Sequence, residues 1–322
     1  MNIKSLLLGS AAALVAVSGA RAADAVVIPE PEAVEYVRVC DAAGAGYFYI
    51  PGGETCLKIS GYVQYEMTFD NGNDAYDKNY EARLQFDAWR DTSYGPLATQ
   101  IRLTAAANGL ARDHDTTLDG LVVDRAYFDL AGLRVGIDAS AWDYGFGGPA
   151  DAYNVGADEV ATMRYTANFG AGSFTLSLEE DSTATDYVPS VLGVVAISAG
   201  DFAATLGAVY EDDANTWGAK ATASYTAGAV TFGAGVQYSD ALGGTYNTAY
   251  EWVLGADVLY DAGALDLGLG FQYGIDDVFN NDEWTIGALV SYDVTETLNA
   301  NLRLRYDENK DFSARVRFRS SF

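Results

Sequence analysis

Residues 311–322 read Asp-Phe-Ser-Ala-Arg-Val-Arg-Phe-Arg-Ser-Ser-Phe, and their chemistry alternates from one residue to the next. An extended strand would therefore have two different faces. One face carries Ala314, Val316, Phe318, Ser320 and Phe322, and the other carries Arg315, Arg317, Arg319 and Ser321. An arginine facing lipid near the bilayer midplane costs about 2–4 kcal/mol. The pattern therefore predicts a strand with lipid on its apolar face and a water-filled interior on its arginine face.

The same period of two residues continues towards the N-terminus as far as Leu57, and this period is typical of strands. A soluble sandwich would alternate in the same way, so the pattern alone leaves both architectures open. The number of predicted strands is even, which favours a closed transmembrane barrel, because single-chain barrels have an even number of strands. Sixteen strands are predicted, at 57–69, 79–91, 96–107, 120–130, 133–139, 160–169, 173–180, 187–198, 202–211, 216–226, 230–239, 250–261, 265–275, 283–293, 298–307 and 311–322.

The connections between these strands alternate between short and long. Ala131-Gly132 and Ala199-Gly200 are typical of the short ones, whereas 108–119 and 140–159 are long and acidic. An outer-membrane barrel has short periplasmic turns and longer external loops. The fold class is therefore predicted to be all-β, a 16-stranded antiparallel transmembrane barrel. The register of 188–197 stays unassigned, since both parities are apolar there.

Aromatic residues of the apolar parity lie near the strand ends, where they would form the two girdles of a membrane barrel. They are Tyr225, Tyr238, Trp252, Tyr260, Tyr273, Trp284, Tyr292, Tyr306 and Phe322.

The composition excludes several other classes of protein. Of 322 residues, 49% are hydrophobic, which is too many for a disordered chain. The formal net charge is -26, with 45 acids against 19 bases, so a nucleic-acid-binding surface is not expected. The chain has no second histidine besides His114, and Ser320-Ser321 has no base nearby in the sequence, so no enzyme activity, cofactor or metal is predicted.

Residues 1–22 are predicted to be a secretory signal peptide. Lys4 supplies the positive charge, residues 6–17 are apolar, and Ala20-Arg21-Ala22 fits the cleavage site. The predicted domains are this signal peptide, a periplasmic N-terminal arm with a disulfide hairpin at 23–56, and the barrel at 57–322.

Two cysteines remain in a chain expected to enter an oxidising compartment, namely Cys40 and Cys56. A disulfide that closes a Gly-rich hairpin is the favoured interpretation. A metal site is the alternative, and it lacks a second cysteine pair.

The segment Glu35-Tyr-Val-Arg-Val-Cys-Asp-Ala-Ala-Gly-Ala-Gly-Tyr-Phe-Tyr-Ile-Pro-Gly-Gly-Glu-Thr-Cys56, continuing to Tyr62, resembles the mature start of alphaproteobacterial general porins of the Brucella and Rhizobium type. The resemblance implies a trimeric sixteen-stranded porin for small hydrophilic solutes in the outer membrane of a Gram-negative bacterium. The terminal Phe322 resembles the signal read by the barrel-assembly machinery. The surface loops are shorter than in that family.

The longest connection, 140–159, is expected to fold into the barrel as the third long loop and to narrow the channel. Its glycines and Pro149 supply turns. The predicted constriction acids are Asp143, Asp151, Asp158 and Glu159. An ordinary solvated surface loop is the alternative.

Basic residues of the inward parity are predicted to line the facing wall. They are Lys58, Arg83, Arg102, Arg303, Arg305, Arg315, Arg317 and Arg319, which form one sector once the barrel closes. Acids on the loop and bases on the wall would create a transverse field that favours polar solutes. Alternatively, the arginines pair with Asp257, Asp266 or Glu66 and only satisfy one another.

The predicted function is passive diffusion of small hydrophilic solutes and ions. The predicted partners are outer-membrane lipid and lipopolysaccharide, two further copies of the chain, and the assembly machinery. The alternatives are a substrate-specific channel and a structural protein tethered to peptidoglycan through the arm from Ala23 to Glu35, an attachment that the family resemblance suggests.

Overall fold

The structure, a computed structural model, describes residues 37–71, 75–108, 120–153, 159–180, 188–212, 214–242, 245–277, 279 and 281–322. The predicted signal peptide and Asp158 lie outside these residues. The chain divides into two units, Met1–Arg38 and Val39–Phe322. In the first unit the structure describes Val37 and Arg38, which are both exposed.

The second unit is built from strands. They are β1 (Phe48–Tyr49), β2 (Cys56–Asp70), β3 (Ala75–Arg90), β4 (Leu97–Asn108), β5 (Leu121–Leu130), β6 (Leu133–Asp138), β7 (Val160–Phe169), β8 (Gly172–Glu180), β9 (Ser190–Ala199), β10 (Phe202–Glu211), β11 (Thr216–Ala227), β12 (Val230–Ser239), β13 (Tyr250–Asp261), β14 (Leu265–Asp277), β15 (Glu283–Asp293), β16 (Leu298–Asp307) and β17 (Phe312–Ser321). Short 3-10 turns occupy Asp41–Ala43 and Gly148–Ala150.

Strands β2 to β17 form a closed antiparallel barrel. Each pairs with its neighbour in the chain, and β17 pairs with β2 through a register that includes Arg317 opposite Glu66. The predicted sixteen-stranded barrel is confirmed. Six of the predicted strands have the same bounds in the structure, namely 160–169, 202–211, 230–239, 250–261, 283–293 and 298–307.

The two faces of the strands differ as the alternation predicts. On β12, Phe232 is 52% exposed on the outside, whereas Gln237 is fully buried on the inside. Exposed large apolar side chains are repeated around the outer surface. An outer face of this kind suits the hydrocarbon region of a membrane.

The short connections are tight turns at one rim, which is called the turn-side rim below. Ala131 and Gly132 join β5 to β6 with φ values of 51° and 93°. Two successive positive φ values are typical of the type I′ turn, whose twist matches that of paired strands. Gly132 is required there, because a Cβ would lie 2.6 Å from the carbonyl oxygen of Thr166.

The longer loops lie at the opposite rim, which is called the loop-side rim. Aromatic side chains form a row on the outer surface near it. The ring centroids of Trp217 and Tyr238 are 4.8 Å apart, and those of Tyr238 and Trp252 are 4.7 Å apart. Such rings prefer the membrane–water interface, so the row indicates the outer boundary of the hydrocarbon layer.

Residues 39–56 form a disulfide-closed hairpin at the start of β2. Cys40 and Cys56 are bonded, with their Cα atoms 5.9 Å apart and both side chains buried. The predicted disulfide is confirmed. Strand β1 was not predicted, because two residues are too few to show a period.

The hairpin and the last strand use the same edge of β2. β1 pairs with Leu57 and Cys56, and Gly61 exchanges two backbone hydrogen bonds of 3.1 and 3.0 Å with Phe322. β17 then continues along β2 from Tyr62 onwards.

Candidate functional site

The connection between β6 and β7 folds inside the barrel, as predicted. Its described residues 139–153 are called the inner segment. At one end, the Ser140 hydroxyl donates a hydrogen bond of 2.5 Å to Glu179 on β8. At the other end, Arg305 on β16 donates to the carbonyl oxygen of Asp151. The inner segment therefore follows the inner wall from β8 to β16.

Trp142 fixes the first part of the inner segment. Its side chain is fully buried against Leu192 on β9, Val209 on β10 and Tyr246. This contact explains why residues 188–197 are apolar on both parities. Leu192 and Val194 are buried inside, whereas Val191, Val195 and Ile197 are exposed on the outer surface.

Lys220 on β11 holds the same part of the segment. Its ammonium donates hydrogen bonds of 2.9 and 3.1 Å to the carbonyl oxygens of Trp142 and Tyr144, and lies 4.8 Å from the centroid of each ring. The Lys220 residue is only 1% exposed. Burial raises the pKa of the Tyr144 hydroxyl above its usual 10.0, so this group stays protonated. It donates to the carbonyl oxygen of Lys220 over 3.2 Å.

Glycines on consecutive strands make room for the segment. A Cβ at Gly235 on β12 would lie 2.3 Å from the Cγ of Phe146, and one at Gly287 on β15 would lie 2.4 Å from the Pro149 backbone. Similar close approaches occur at Gly207, Gly255 and Gly270. Because real Cβ atoms do not approach other atoms so closely, these glycines form a groove in which the segment lies.

Gln272 on β14 is the main polar anchor of the segment, and it is fully buried. Its Oε1 accepts hydrogen bonds of 2.6 and 3.0 Å from the backbone N–H groups of Ala152 and Tyr153. Its Nε2 donates to the Phe146 carbonyl over 2.8 Å and to the Asp151 carboxylate over 3.1 Å. The Gln272 side chain thus accepts from two backbone N–H groups of the segment and donates to two of its oxygen atoms.

Two of the predicted wall arginines bind the backbone of the inner segment. Arg303 donates hydrogen bonds of 2.9 and 3.0 Å to the carbonyl oxygens of Pro149 and Gly148. Arg305 donates to the carbonyl oxygens of Pro149 and Asp151. On the other side, Asp257 accepts a hydrogen bond of 3.2 Å from the N–H of Gly147.

The base of the inner segment is held by a buried network of charges. Asp138, the last residue of β6, lies 3.3 Å from Arg125, 2.6 Å from Arg134 and 2.9 Å from Arg164. Arg164 also donates a hydrogen bond of 2.6 Å to the Ala139 carbonyl. Three guanidinium groups thus meet at the residue after which the chain turns inward.

The predicted constriction acids have different surroundings. Asp143 and Glu159 are exposed, and Glu159 lies 3.7 Å from Arg102. Asp151 is half-buried against Gln272. Asp158 lies outside the described residues.

The predicted wall bases lie on neighbouring strands, β16, β17, β2, β3 and β4, and therefore form one continuous sector. Glu66 lies 2.7 Å from Arg317 and 3.6 Å from Arg315, and Arg319 donates to Gln64 over 2.8 Å. The pairing of arginines with Glu66 that the sequence left open is present in the structure.

Arg83 and Arg102 converge on an acid that the sequence analysis missed. Asp124 lies 2.8 Å from Arg102 and 3.7 Å from Arg83. The register between β4 and β5 shifts at Arg102 and Leu103, which leaves Asp124 as an extra residue in β5. A β-bulge of this kind changes the direction in which a side chain points. As a result, the adjacent residues Asp124 and Arg125 both reach ion-pair partners within the barrel.

Sequence reasoning also missed Arg134 and Arg164, although the period of two residues places them on the inner face. Both line a cavity of about 530 Å³ beneath the inner segment, together with Asp129, Asp143 and Tyr144. The exposed carboxylate of Asp143 therefore has basic residues across a water-accessible space, on β6 and β7 rather than on the predicted sector.

The family model described as the porin subfamily matches residues 24–320. The chain belongs to this porin family. Porin Omp2b of Brucella canis is 43% identical over 252 residues, which cover 68% of this chain and 69% of that protein. Porin Omp2b of Brucella suis has a match of 48% identity over 198 residues, covering 56% of this chain and 52% of that protein.

Solved porin structures share the fold. The outer membrane channel DcaP of Acinetobacter baumannii superimposes with a TM-score of 0.66 at 14% identity, covering 85% of this chain and 99% of that one. A triple mutant of the Rhodopseudomonas blastica porin superimposes with a TM-score of 0.63 at 14% identity, covering 83% of this chain and 100% of that one. Family membership and barrel together make this protein a channel of the Gram-negative outer membrane.

Within the described ranges, no helix is long and apolar enough to cross a membrane. The same residues contain no group of three or more His, Cys, Asp or Glu side chains placed to hold a metal ion.

Proposed function

We infer that this porin is a general diffusion channel whose narrowest section lies between the inner segment and the basic wall. The observation that carries this inference is the fixed position of the inner segment, which is bound by Lys220, Gln272, Arg303 and Arg305 across half of the barrel wall. A loop bound so firmly occupies lumen cross-section permanently and sets the size of solutes that pass.

Charge at this section selects polar solutes. Asp143 supplies an exposed carboxylate across a cavity from Arg134 and Arg164, and Glu159 supplies a second one beside Arg102. Arg315, Arg317 and Arg319 supply guanidinium groups on the basic wall, and each is partly exposed. Fixed charges of opposite sign across a narrow passage orient water and favour ions and hydroxylated solutes over apolar ones.

A substrate-specific channel has less support. The inward Tyr62 ring lies 4.2 Å from the guanidinium carbon of Arg319, and the Tyr127 ring lies 4.1 Å from that of Arg134. Each ring is therefore covered by a charged group rather than free to stack against a sugar.

Purified protein in planar bilayers tests the function. We expect stepwise single-channel currents, and in liposome swelling we expect rates that fall with sugar size but hardly differ between isomers of one size. Rates that depend on the isomer would favour the substrate-specific channel, and a complete absence of current would contradict the proposal.

The proposed partners follow from the surface of the barrel. The apolar outer face fits lipid and the acyl chains of lipopolysaccharide, and it also provides the contact area for a homotrimer. Phe322 is exposed at the end of β17, where the barrel-assembly machinery could bind it. Attachment of the arm to peptidoglycan stays a prediction from the family resemblance, since residues 23–36 are not described.

A further inference from the structure

The disulfide hairpin places a tyrosine on the inner face of the barrel at the turn-side rim. Phe48 pairs with Leu57, and Tyr49 pairs with Cys56, so Tyr47 is the next residue along and stands opposite Lys58. The N–H of Cys40 donates a hydrogen bond of 2.9 Å to the Tyr47 carbonyl. Because faces alternate along a strand, Tyr47 shares the inward parity of Lys58 rather than the outward parity of Leu57.

The surroundings of Tyr47 are those of the channel. The ammonium of Lys58 lies 5.9 Å from the centroid of the Tyr47 ring, and the stem of Lys58 lies 3.4 Å from where Gly46 would carry a Cβ. Partial burial raises the pKa of the Tyr47 hydroxyl, and the charge of Asp87 raises it further. Tyr47 stands opposite Lys58, and Lys58 pairs with Asp87 on β3, so the tyrosine is directed towards the lumen.

The rim at this level is already polar and ordered. Asp87 accepts hydrogen bonds of 2.9 Å from Gln85 and 2.8 Å from Gln100. Arg134 covers the ring of Tyr127. Tyr47 and Lys58 add bulk and a positive charge to this ring of side chains.

On the β2 side of the barrel, this rim lies at a different depth from the contacts that Arg303 makes with the inner segment. In the register across β16, β17 and β2, Arg303 is level with Arg315 and Thr68. Lys58 lies ten residues before Thr68, which is about 34 Å along the strand and about 26 Å along the channel axis for a strand tilted by about 40°. A solute that has passed one level must still pass the other.

We propose that the hairpin 40–56 forms a second narrowing at the turn-side mouth, in which Tyr47 limits solute size and Lys58 supplies positive charge. The proposal rests on the diffusion function above and adds two residues that determine its selectivity. The buried disulfide between Cys40 and Cys56 holds the hairpin against β2, so that Tyr47 keeps its place in the mouth.

The test compares Tyr47→Ala with Tyr94→Ala in the full-length protein. Tyr94 lies in the turn between β3 and β4 at the same rim but is 80% exposed, so it is a matched control. We expect Tyr47→Ala to raise single-channel conductance and to raise the swelling rate for a trisaccharide relative to a monosaccharide. Tyr94→Ala should equal the wild type in both measurements.

Two further variants examine the positive charge of Lys58 and the disulfide that holds the hairpin. Lys58→Met should shift the reversal potential in a salt gradient towards cations. The double variant Cys40→Ser with Cys56→Ser should raise conductance and widen its spread, because the hairpin is no longer tied to β2. Wild-type conductance and solute ratios in both Tyr47→Ala and the double variant would overturn the second narrowing, whereas a wild-type protein without channels would overturn the diffusion function itself.

Discussion

Replacing Gln272 by Met should loosen the inner segment while leaving the barrel intact. Methionine has nearly the same length and volume as glutamine but cannot form the hydrogen bonds to Phe146, Ala152 and Tyr153. The hydrogen bonds between β13, β14 and β15 are made by the backbone, so they remain.

The expected cost follows from the groups that lose their partner. The buried Phe146 carbonyl costs about 1–3 kcal/mol when it loses Gln272, and the more exposed N–H groups of Ala152 and Tyr153 cost about 0.5–1.5 kcal/mol each. Local rearrangement recovers part of this, so a net loss of about 3 kcal/mol in the docking free energy is reasonable. Since 1.4 kcal/mol is a factor of ten, the detached fraction of the segment should rise about 100-fold.

Single-channel recording measures this change directly. A segment that leaves the wall enters the lumen, so we expect greater open-channel current noise and brief closures. Gln85→Met is the control, since Gln85 lies on the inner face of β3 and donates to Asp87 instead of to the segment. Quiet, wild-type currents in Gln272→Met, with an unchanged heat-induced loss of β-sheet circular dichroism, would refute the idea that Gln272 anchors the segment.

Three other predictions concern the same channel. Gly235→Val should push Phe146 off the wall and lower the conductance, because a Cβ there would lie 2.3 Å from the Phe146 ring; an unaltered conductance would argue against this contact. Arg315→Ala combined with Arg317→Ala should leave Glu66 without its cations and shift the reversal potential towards cations, whereas a stable reversal potential with a lower unfolding temperature would mean that these arginines only stabilise the wall. The wild type should show mild cation preference that weakens between 0.1 and 1 M salt, as the Debye length falls from about 10 Å to about 3 Å; strong anion preference would show that the wall outweighs the acidic loops.

The barrel was predictable because each strand has lipid on one side and water on the other. That requirement is imposed residue by residue, so the alternation of Phe232, Ala234 and Val236 with glycine and glutamine is visible without any tertiary information. The exception, residues 188–197, marks a place where a third element covers the inner face. Leu192 is apolar because Trp142 packs on it, and a pattern within one strand cannot show this.

The candidate site was predictable only in outline. Glycine and proline content indicated that the connection after β6 enters the barrel, but its docking partners are far away in the chain. Lys220 is 78 residues from Trp142, and nothing near Lys220 in the sequence distinguishes it from other inward polar residues. The arginines illustrate a second difficulty. Parity predicts that Arg303 points inward, but it does not predict that backbone carbonyls of Gly148 and Pro149, rather than carboxylates, are its partners.

The β-bulge at Asp124 makes the alternation of faces unreliable for a different reason. One extra residue in β5 changes the face of every residue beyond it relative to β4, and no residue type in Val-Asp-Arg requires such an insertion. Asp124 and its ion pairs with Arg83 and Arg102 could therefore be found only from the structure.

The shared edge of β2 has a consequence for how the barrel closes. Gln64 and Arg319 are 255 residues apart, whereas the two cysteines of the hairpin are 16 apart. Loop-closure entropy costs about 0.6 kcal/mol for each doubling of length, so the hairpin has an advantage of about 2.4 kcal/mol over the seam between β2 and β17. We therefore expect the hairpin to form before the last strand pairs with β2. Because β1 already occupies the edge at Leu57 and Cys56, it acts as a stop that keeps β17 from sliding past Gly61, and the seam closes in a single register.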